Sequence, residues 1–109
     1  MDGFVEFTDR VECVHLSQFA PMTTLLVWTW NSLYRLVVMD TSTVYVQGGE
    51  CFPDPTSARL EGAGRRNGPL LTGRICLGLA MELRAHGTRI TTSPVLAIAT
   101  ESADHIVVH

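Results

Sequence analysis

The chain has 109 residues, of which 46% are hydrophobic and 17% are charged. This length suits one domain and is too short for two independent cores, and the apolar composition excludes an intrinsically disordered chain. The formal net charge of −3 excludes a molecule whose overall field attracts nucleic acid, so that any such binding has to be local.

The three cysteines, Cys13, Cys51 and Cys76, are an odd number without a CxxC pair. This count is typical of neither a disulfide framework nor a zinc knuckle, and it favours a reducing, cytoplasmic environment. The start of the chain lacks the basic and apolar segments of a signal peptide, and no apolar run is long enough to cross a bilayer. We therefore expect a cytoplasmic protein with no membrane partner.

Residues 1–22 are predicted to form an N-terminal arm or short helix ahead of the main domain. Asp9 with Glu12 three positions later is typical of a helix N-cap and its capping acid. The alternation within residues 11–15 also fits a strand, so the structure of this segment stays open. Residues 23–109 are expected to form a single small β domain.

The first part of that domain predicts three strands. Residues 23–30 are β-branched and aromatic, with apolar side chains on both faces, which indicates a strand buried on both sides. Residues 33–39 resume as a second strand after a turn. A short loop at 40–42 then returns the chain as a third strand, residues 43–47, so that these two strands form a hairpin.

Glycine and proline predict two loops in the middle of the chain. Residues 48–57 contain a Gly-Gly pair and the sequence Pro-Asp-Pro, and proline removes donors from a strand ladder. Residues 61–69 hold three glycines and a proline and are expected to be the longest flexible connection on the surface.

The strictest alternation in the chain covers residues 72–84 and predicts one long strand with a bend or bulge at Gly78. Five apolar side chains on one face are expected in the core: Ile75, Leu77, Leu79, Met81 and Leu83. A hairpin at 85–88 leads to a second long strand at 89–100, which Pro94 restricts to an edge or a bulge. Residues 105–109 predict a short terminal strand.

Together these segments predict an all-β, mainly antiparallel fold, either a small SH3-like barrel or a compact sandwich. Five segments resemble a group of short, uncharacterised bacterial proteins: NSLYRL at 31–36, VYVQGG at 44–49, ARLEG at 58–62, GRICLGLAMEL at 73–83 and TSPVLAI at 92–98. The resemblance covers roughly residues 24–99 and implies a bacterial origin and a shared small β domain. It implies no activity and no catalytic residue.

The chain has no sequence motif for catalysis. The patterns GxSxG, HExxH, GxGxxG and the P-loop are absent, so we expect no catalytic residue and no cofactor, and an enzyme is the less favoured class. Cys13 and His15 could join Cys51 or Cys76 in a zinc site. Because structural zinc sites usually show two paired ligand motifs, we expect no metal.

Two tryptophans and a row of small residues are candidates for an interface. Trp28 and Trp30 share one face of the first strand, where they would anchor a protein contact or line a ligand pocket. Cys76, Gly78 and Ala80, on the second face of the long strand, would permit close approach by another backbone. The leading hypothesis is a non-enzymatic interaction or structural module that forms a homo-oligomer or a subunit of a larger assembly.

The alternative hypothesis is a small barrel that binds nucleic acid through an arginine-rich loop at residues 59–74. Arg59, Arg65, Arg66 and Arg74 bracket this loop and could contact phosphate oxygens. The acidic net charge and the absence of an aromatic side chain in the loop make nucleic acid the less favoured partner. A third hypothesis is a ligand-binding or enzymatic pocket beside the two tryptophans.

Overall fold

The computed structural model describes residues 12–64 and 68–101 and the backbone of residues 106–108. The strands are β1 (Cys13–His15), β2 (Thr24–Thr29), β3 (Leu33–Val38), β4 (Thr43–Gly48), β5 (Phe52–Gly64), β6 (Leu71–Thr72), β7 (Arg74–Cys76), β8 (Ala80–Ala85), β9 (Thr88–Glu101) and β10 (Ile106–Val108). A 3-10 turn, Leu16–Gln18, follows β1. Within the described ranges, no helix has the length and apolar character needed to cross a membrane.

Six of the strands close into a ring. The antiparallel neighbours run β2, β3, β4, β5, β8 and β9, and β9 pairs again with β2. Closure satisfies the backbone donors and acceptors along both sides of each ring strand. The prediction of an all-β, mainly antiparallel fold with a barrel-like sheet is therefore confirmed. The shorter strands lie outside the ring, where β1 pairs with β7, β6 with β5 and β10 with β9.

The core fills the inside of the ring and is built from alternate residues of each strand. In β2, Leu25 and Val27 are fully buried, and Leu36 and Leu83 are buried on β3 and β8. The same cluster contains Tyr34, Val38, Val44, Val46, Phe52, Ala58, Leu60, Met81, Ala85, Val95 and Ile98. Burying apolar side chains at about 25 cal/mol per Å² is the main stabilising contribution to such a ring.

The predicted long strand at 72–84 is wrong in its continuity. It divides at Gly78, whose φ of +84° a residue with a side chain rarely adopts, into β7 and β8. The Gly78 amide donates to the carbonyl of Val95 at 2.8 Å and fixes this break against β9. Four of the five predicted core residues are buried, but Leu77, at the break, is only partly buried.

The two predicted loops are shorter than the glycines and prolines indicated. Residues 52–57 belong to β5, although Pro53 and Pro55 lie within it, because the ladder with β4 shifts register between Val46 and Gly48. A bulge of this kind tolerates residues that cannot donate. Strand β5 also continues through the predicted second loop as far as Gly64.

Of the structures left open for residues 1–22, the strand is the one found at 13–15, followed by a 3-10 turn and not by an α-helix. Residues 13–15 form β1, and Val14 and Leu16 pack into the barrel core. A disulfide joins Cys13 to Cys76, 63 positions apart, and ties β1 to β7. The proposed cap at Asp9 lies outside the described residues. The segment 13–18 is therefore part of the domain.

The loop between β3 and β4 is held by the Asp40 carboxylate. One carboxylate oxygen accepts hydrogen bonds from the backbone amides of Ser42 at 2.8 Å and Thr43 at 2.7 Å. These bonds favour the charged form, so they lower the pKa of Asp40 below its ordinary value.

We expect Asp40→Ala to lower the midpoint of thermal unfolding at neutral pH. A group whose pKa is lowered by folding stabilises the protein above its unfolded pKa and loses that contribution as the pH falls through the folded pKa. The difference between wild type and Asp40→Ala should therefore shrink in acid, below about pH 4. Thermal melts of both proteins between neutral pH and about pH 3 measure the difference in unfolding midpoint. A difference that does not change with pH would contradict this account.

Candidate interaction surfaces

The half-buried Trp28 and three exposed apolar side chains lie near the β2–β3 turn and the neighbouring part of β9, and we call them the tryptophan surface: Trp28, Trp30, Leu33 and Leu96. Trp28 lies directly opposite Leu33 on β3 and Ala97 on β9, so their side chains share the outer wall. Trp30 is 70% exposed, Leu96 54% and Leu33 46%. The sequence prediction that both faces of this strand are buried is thus wrong at Trp30.

The exposure of this surface follows from a bulge. The ladder between β2 and β9 shifts register between Trp28 and Thr29, whose partners are Ala97 and Val95. Leu96 is the extra residue and projects outward. Thr29 is buried, so the next side chain, Trp30, points to solvent.

The backbone beneath Trp30 is fixed in place. The Trp30 amide donates to the carbonyl of Pro94 at 3.2 Å, and the Asn31 amide donates to the hydroxyl of Ser93 at 3.1 Å. Within the turn, the Thr29 hydroxyl donates to the carbonyl of Ser32 at 3.0 Å. An exposed tryptophan on an anchored turn loses little conformational freedom when a partner covers it.

The predicted row of small residues does not form one surface. Cys76 is completely buried by its disulfide with Cys13, so it cannot contact another subunit. Gly78 is exposed at the break between β7 and β8, and Ala80 is partly buried opposite Pro94. The loss of strand geometry at Gly78 separates the three positions.

A cleft of about 680 Å³ lies beside the register shift between β8 and β9 and is lined in part by Ala80, Glu82 and Pro94. The Glu82 carboxylate accepts a hydrogen bond from the Thr91 hydroxyl at 2.7 Å. Neither Trp28 nor Trp30 lines this cleft, so it does not supply the pocket that the third hypothesis places beside them. Among the residues that line this cleft, Glu82 is the one with a carboxylate.

The disulfide removes two of the cysteines that were candidate zinc ligands. Cys13 and Cys76 are bonded to each other, so neither thiolate is available as a metal ligand. Cys51 is exposed and does not take part in the disulfide. Across the described residues, no three histidine, cysteine, aspartate or glutamate side chains converge on a common point.

Of the four arginines predicted to bracket one loop, the structure describes two, and these lie on different strands. Arg59 lies on the outer wall of β5, and Arg74 lies on β7 opposite His15. The Nε of Arg59 contacts a carboxylate oxygen of Glu61 at 3.3 Å. Arg65 and Arg66 lie outside the described residues.

The structure instead aligns Arg59 with two arginines that the sequence pattern did not single out. Arg84 on β8 lies opposite Arg59 on one side and Arg89 of β9 on the other. The turn between these last two strands has positive φ at His86 and Gly87, as in a type I′ hairpin. We call Arg59, Arg84 and Arg89 the arginine row. The hairpin predicted at 85–88 could have shown that Arg84 and Arg89 are paired.

Comparison with known proteins adds no relative to these observations. No family model matches the chain. No curated protein and no solved structure matches it either.

Proposed function

We propose that the domain is a non-enzymatic interaction module that works by protein contact through the tryptophan surface. The observation that carries this proposal is Trp30, a large apolar side chain that is 70% exposed on an anchored turn. Single exposed apolar residues are ordinary, but contiguous ones on soluble proteins usually mark an interaction site. Tryptophan is also enriched among residues that dominate binding energy.

A second copy of the chain is the partner that this surface favours. In a twofold-symmetric dimer the same patch meets itself, so a charged patch would meet its own charge. The tryptophan surface contains no charged residue. The nearby Arg35 is ion-paired with Glu101 at 2.7 Å, which supplies a polar rim without net charge. A larger assembly in which another subunit covers the same surface is the second form of the proposal.

We expect the purified protein to sediment as a dimer or larger species at micromolar concentration, and Trp30→Ser to shift it toward monomer. The substitution removes an exposed anchor whose loss typically costs binding about 2 kcal/mol or more. It should change the free energy of unfolding of the monomer by less than about 0.5 kcal/mol, as surface substitutions do. Sedimentation velocity across a dilution series measures the association.

Met22→Ser is the matched control. Met22 is 67% exposed but lies before β2, outside the tryptophan surface. It should leave the association unchanged. Two results together would contradict both forms of the proposal. The wild-type protein would be monomeric at every concentration, and the Trp30→Ser variant would bind the same partners from its host as the wild type.

The location of the protein is a separate question. The cysteine count favoured a reducing cytoplasm, and this location stays a prediction, as does the bacterial origin. The Cys13–Cys76 disulfide argues against it, because disulfides persist mainly in oxidising compartments. Acid quenching of host cells, followed by alkylation of the unfolded protein without a reductant, distinguishes a reducing from an oxidising location by whether Cys76 is modified.

A further inference from the structure

The arginine row crosses three neighbouring strands on the outer wall of the barrel. Arg59 and Arg84 point outward, since their neighbours Leu60 and Leu83 point into the core. Arg89 is likewise exposed. Adjacent strands lie about 4.8 Å apart, so the row extends over about 10 Å. It therefore presents three guanidinium groups in a line across the sheet.

The charges along this row are only partly balanced. Glu61, at a bulge in β5, contacts the Nε of Arg59 at 3.3 Å and the Nε of Arg84 at 3.5 Å. Arg89 has no ion-pair partner in the described part of the chain. Like charges directly opposite each other on a sheet are destabilising. An anion between Arg84 and Arg89 would remove this repulsion and complete the pattern that Glu61 begins.

An exposed aromatic side chain lies beside the row. Tyr45 on β4 pairs with Ser57, and Thr43 pairs with Arg59, so Tyr45 and Arg59 are diagonal neighbours on the outer wall. Tyr45 is 44% exposed. Diagonal neighbours on a sheet lie about 7–8 Å apart, a distance that long and aromatic side chains can bridge.

We propose that this outer wall, from Tyr45 to Arg89, binds single-stranded nucleic acid. The arginine forks would hold successive phosphate groups, since their planar geometry matches phosphate oxygens. One base would stack on the exposed ring of Tyr45. Proteins that bind single strands commonly combine positively charged side chains along the backbone with an aromatic ring that stacks on a base. The wall from Tyr45 to Arg89 covers four strands, or about 14 Å, and accommodates only a few nucleotides, so the binding is weak, sensitive to salt and tolerant of sequence.

The site is distinct from the tryptophan surface. The wall runs over β4, β5, β8 and the start of β9, whereas the tryptophan surface uses β2, β3 and the bulge of β9 at Leu96. A further carboxylate on this wall, that of Glu82, accepts a hydrogen bond from the Thr91 hydroxyl. Because the two surfaces share no residue, each proposal can be tested without the other.

Fluorescence anisotropy with short labelled oligothymidylate and oligouridylate tests the proposal on the full chain. We expect both to bind at about 50 mM salt and to be released by about 200 mM salt. Arg89→Gln should lower the affinity several-fold and reduce the slope of log affinity against log salt by about 0.7, the contribution of one phosphate contact on a single strand. Tyr45→Ala should weaken binding about tenfold, whereas Tyr45→Phe, which keeps the ring, should not.

Two further variants separate this site from general effects of charge or folding. Arg35→Gln removes an exposed arginine on β3 that is ion-paired with Glu101, and it should leave binding unchanged. Glu61→Gln removes the carboxylate that neutralises Arg59 and Arg84, and it should strengthen binding, a gain that unfolding cannot produce. Any of three results would overturn the proposal. The first is no binding of the oligonucleotides at low salt, and the second is an equal loss of affinity from Arg89→Gln and Arg35→Gln. The third is binding to phosphatidylserine vesicles but not to the oligonucleotides.

Discussion

Removal of the Cys13–Cys76 disulfide should lower the free energy of unfolding by about 4 kcal/mol. The bond closes a loop between positions 63 residues apart, and in the chain-entropy description a loop of this length restricts the unfolded state by about that amount. It also holds β1 against β7, and Val14 and Leu16 next to it are in the core. Denaturant unfolding of the oxidised and the reduced protein, with the slope fitted separately for each, measures the difference.

The cysteines offer their own controls. Thiol titration of the unfolded protein should find only Cys51 before reduction, because Cys13 and Cys76 are bonded to each other. Cys51→Ser should leave stability unchanged, and a metal chelator should have no effect on the melting temperature, unlike removal of a structural zinc. If the double variant Cys13→Ala, Cys76→Ala unfolded at the same denaturant concentration as wild type, the bond would have no stabilising role.

Leu83→Ala should destabilise the barrel by about 2–5 kcal/mol. Leu83 is fully buried on β8, opposite Leu60 of β5 and Ile90 of β9, so truncation leaves a cavity that the closed ring cannot easily fill. For a domain of this size, whose total stability is about 5–15 kcal/mol, such a loss is a large fraction. Denaturant unfolding monitored by circular dichroism provides the measurement.

Leu70→Ala is the matched control, since Leu70 is 39% exposed and lies outside the barrel strands. Its effect should stay within about 0.5 kcal/mol. A loss that small at Leu83 would instead place this face of β8 in solvent and falsify the inward orientation that the alternating pattern predicts.

Strands whose side chains alternate could be predicted closely from sequence. The segments 33–39, 43–47 and 89–100 contain β3, most of β4 and most of β9, because a period of two between apolar and polar residues is characteristic of a strand with one buried face. The proline-containing start of β5 could not be predicted in this way. Whether proline is tolerated there depends on the register shift against β4, which is a property of the pair of strands.

The candidate surfaces, too, could be predicted only in part from the sequence. Trp28 and Trp30 could be singled out because large aromatic side chains are costly to leave exposed without a use. That Trp30 is more exposed than Trp28 reflects its position beyond the end of β2, next to the bulge of β9 at Leu96. The arginine row was missed because Arg59 and Arg84 are 25 positions apart and meet only through the pairing of β5 with β8.

The fold class, the position of most strands and the apolar face of the strictly alternating ones could be predicted, since these depend on side chains near one another along the chain. The closure of β9 onto β2, the disulfide between Cys13 and Cys76, and the alignment of three arginines on one wall became evident only in the folded protein. Each of these joins residues distant in sequence. Their proximity is set by strand register and ring closure, which local periodicity does not encode.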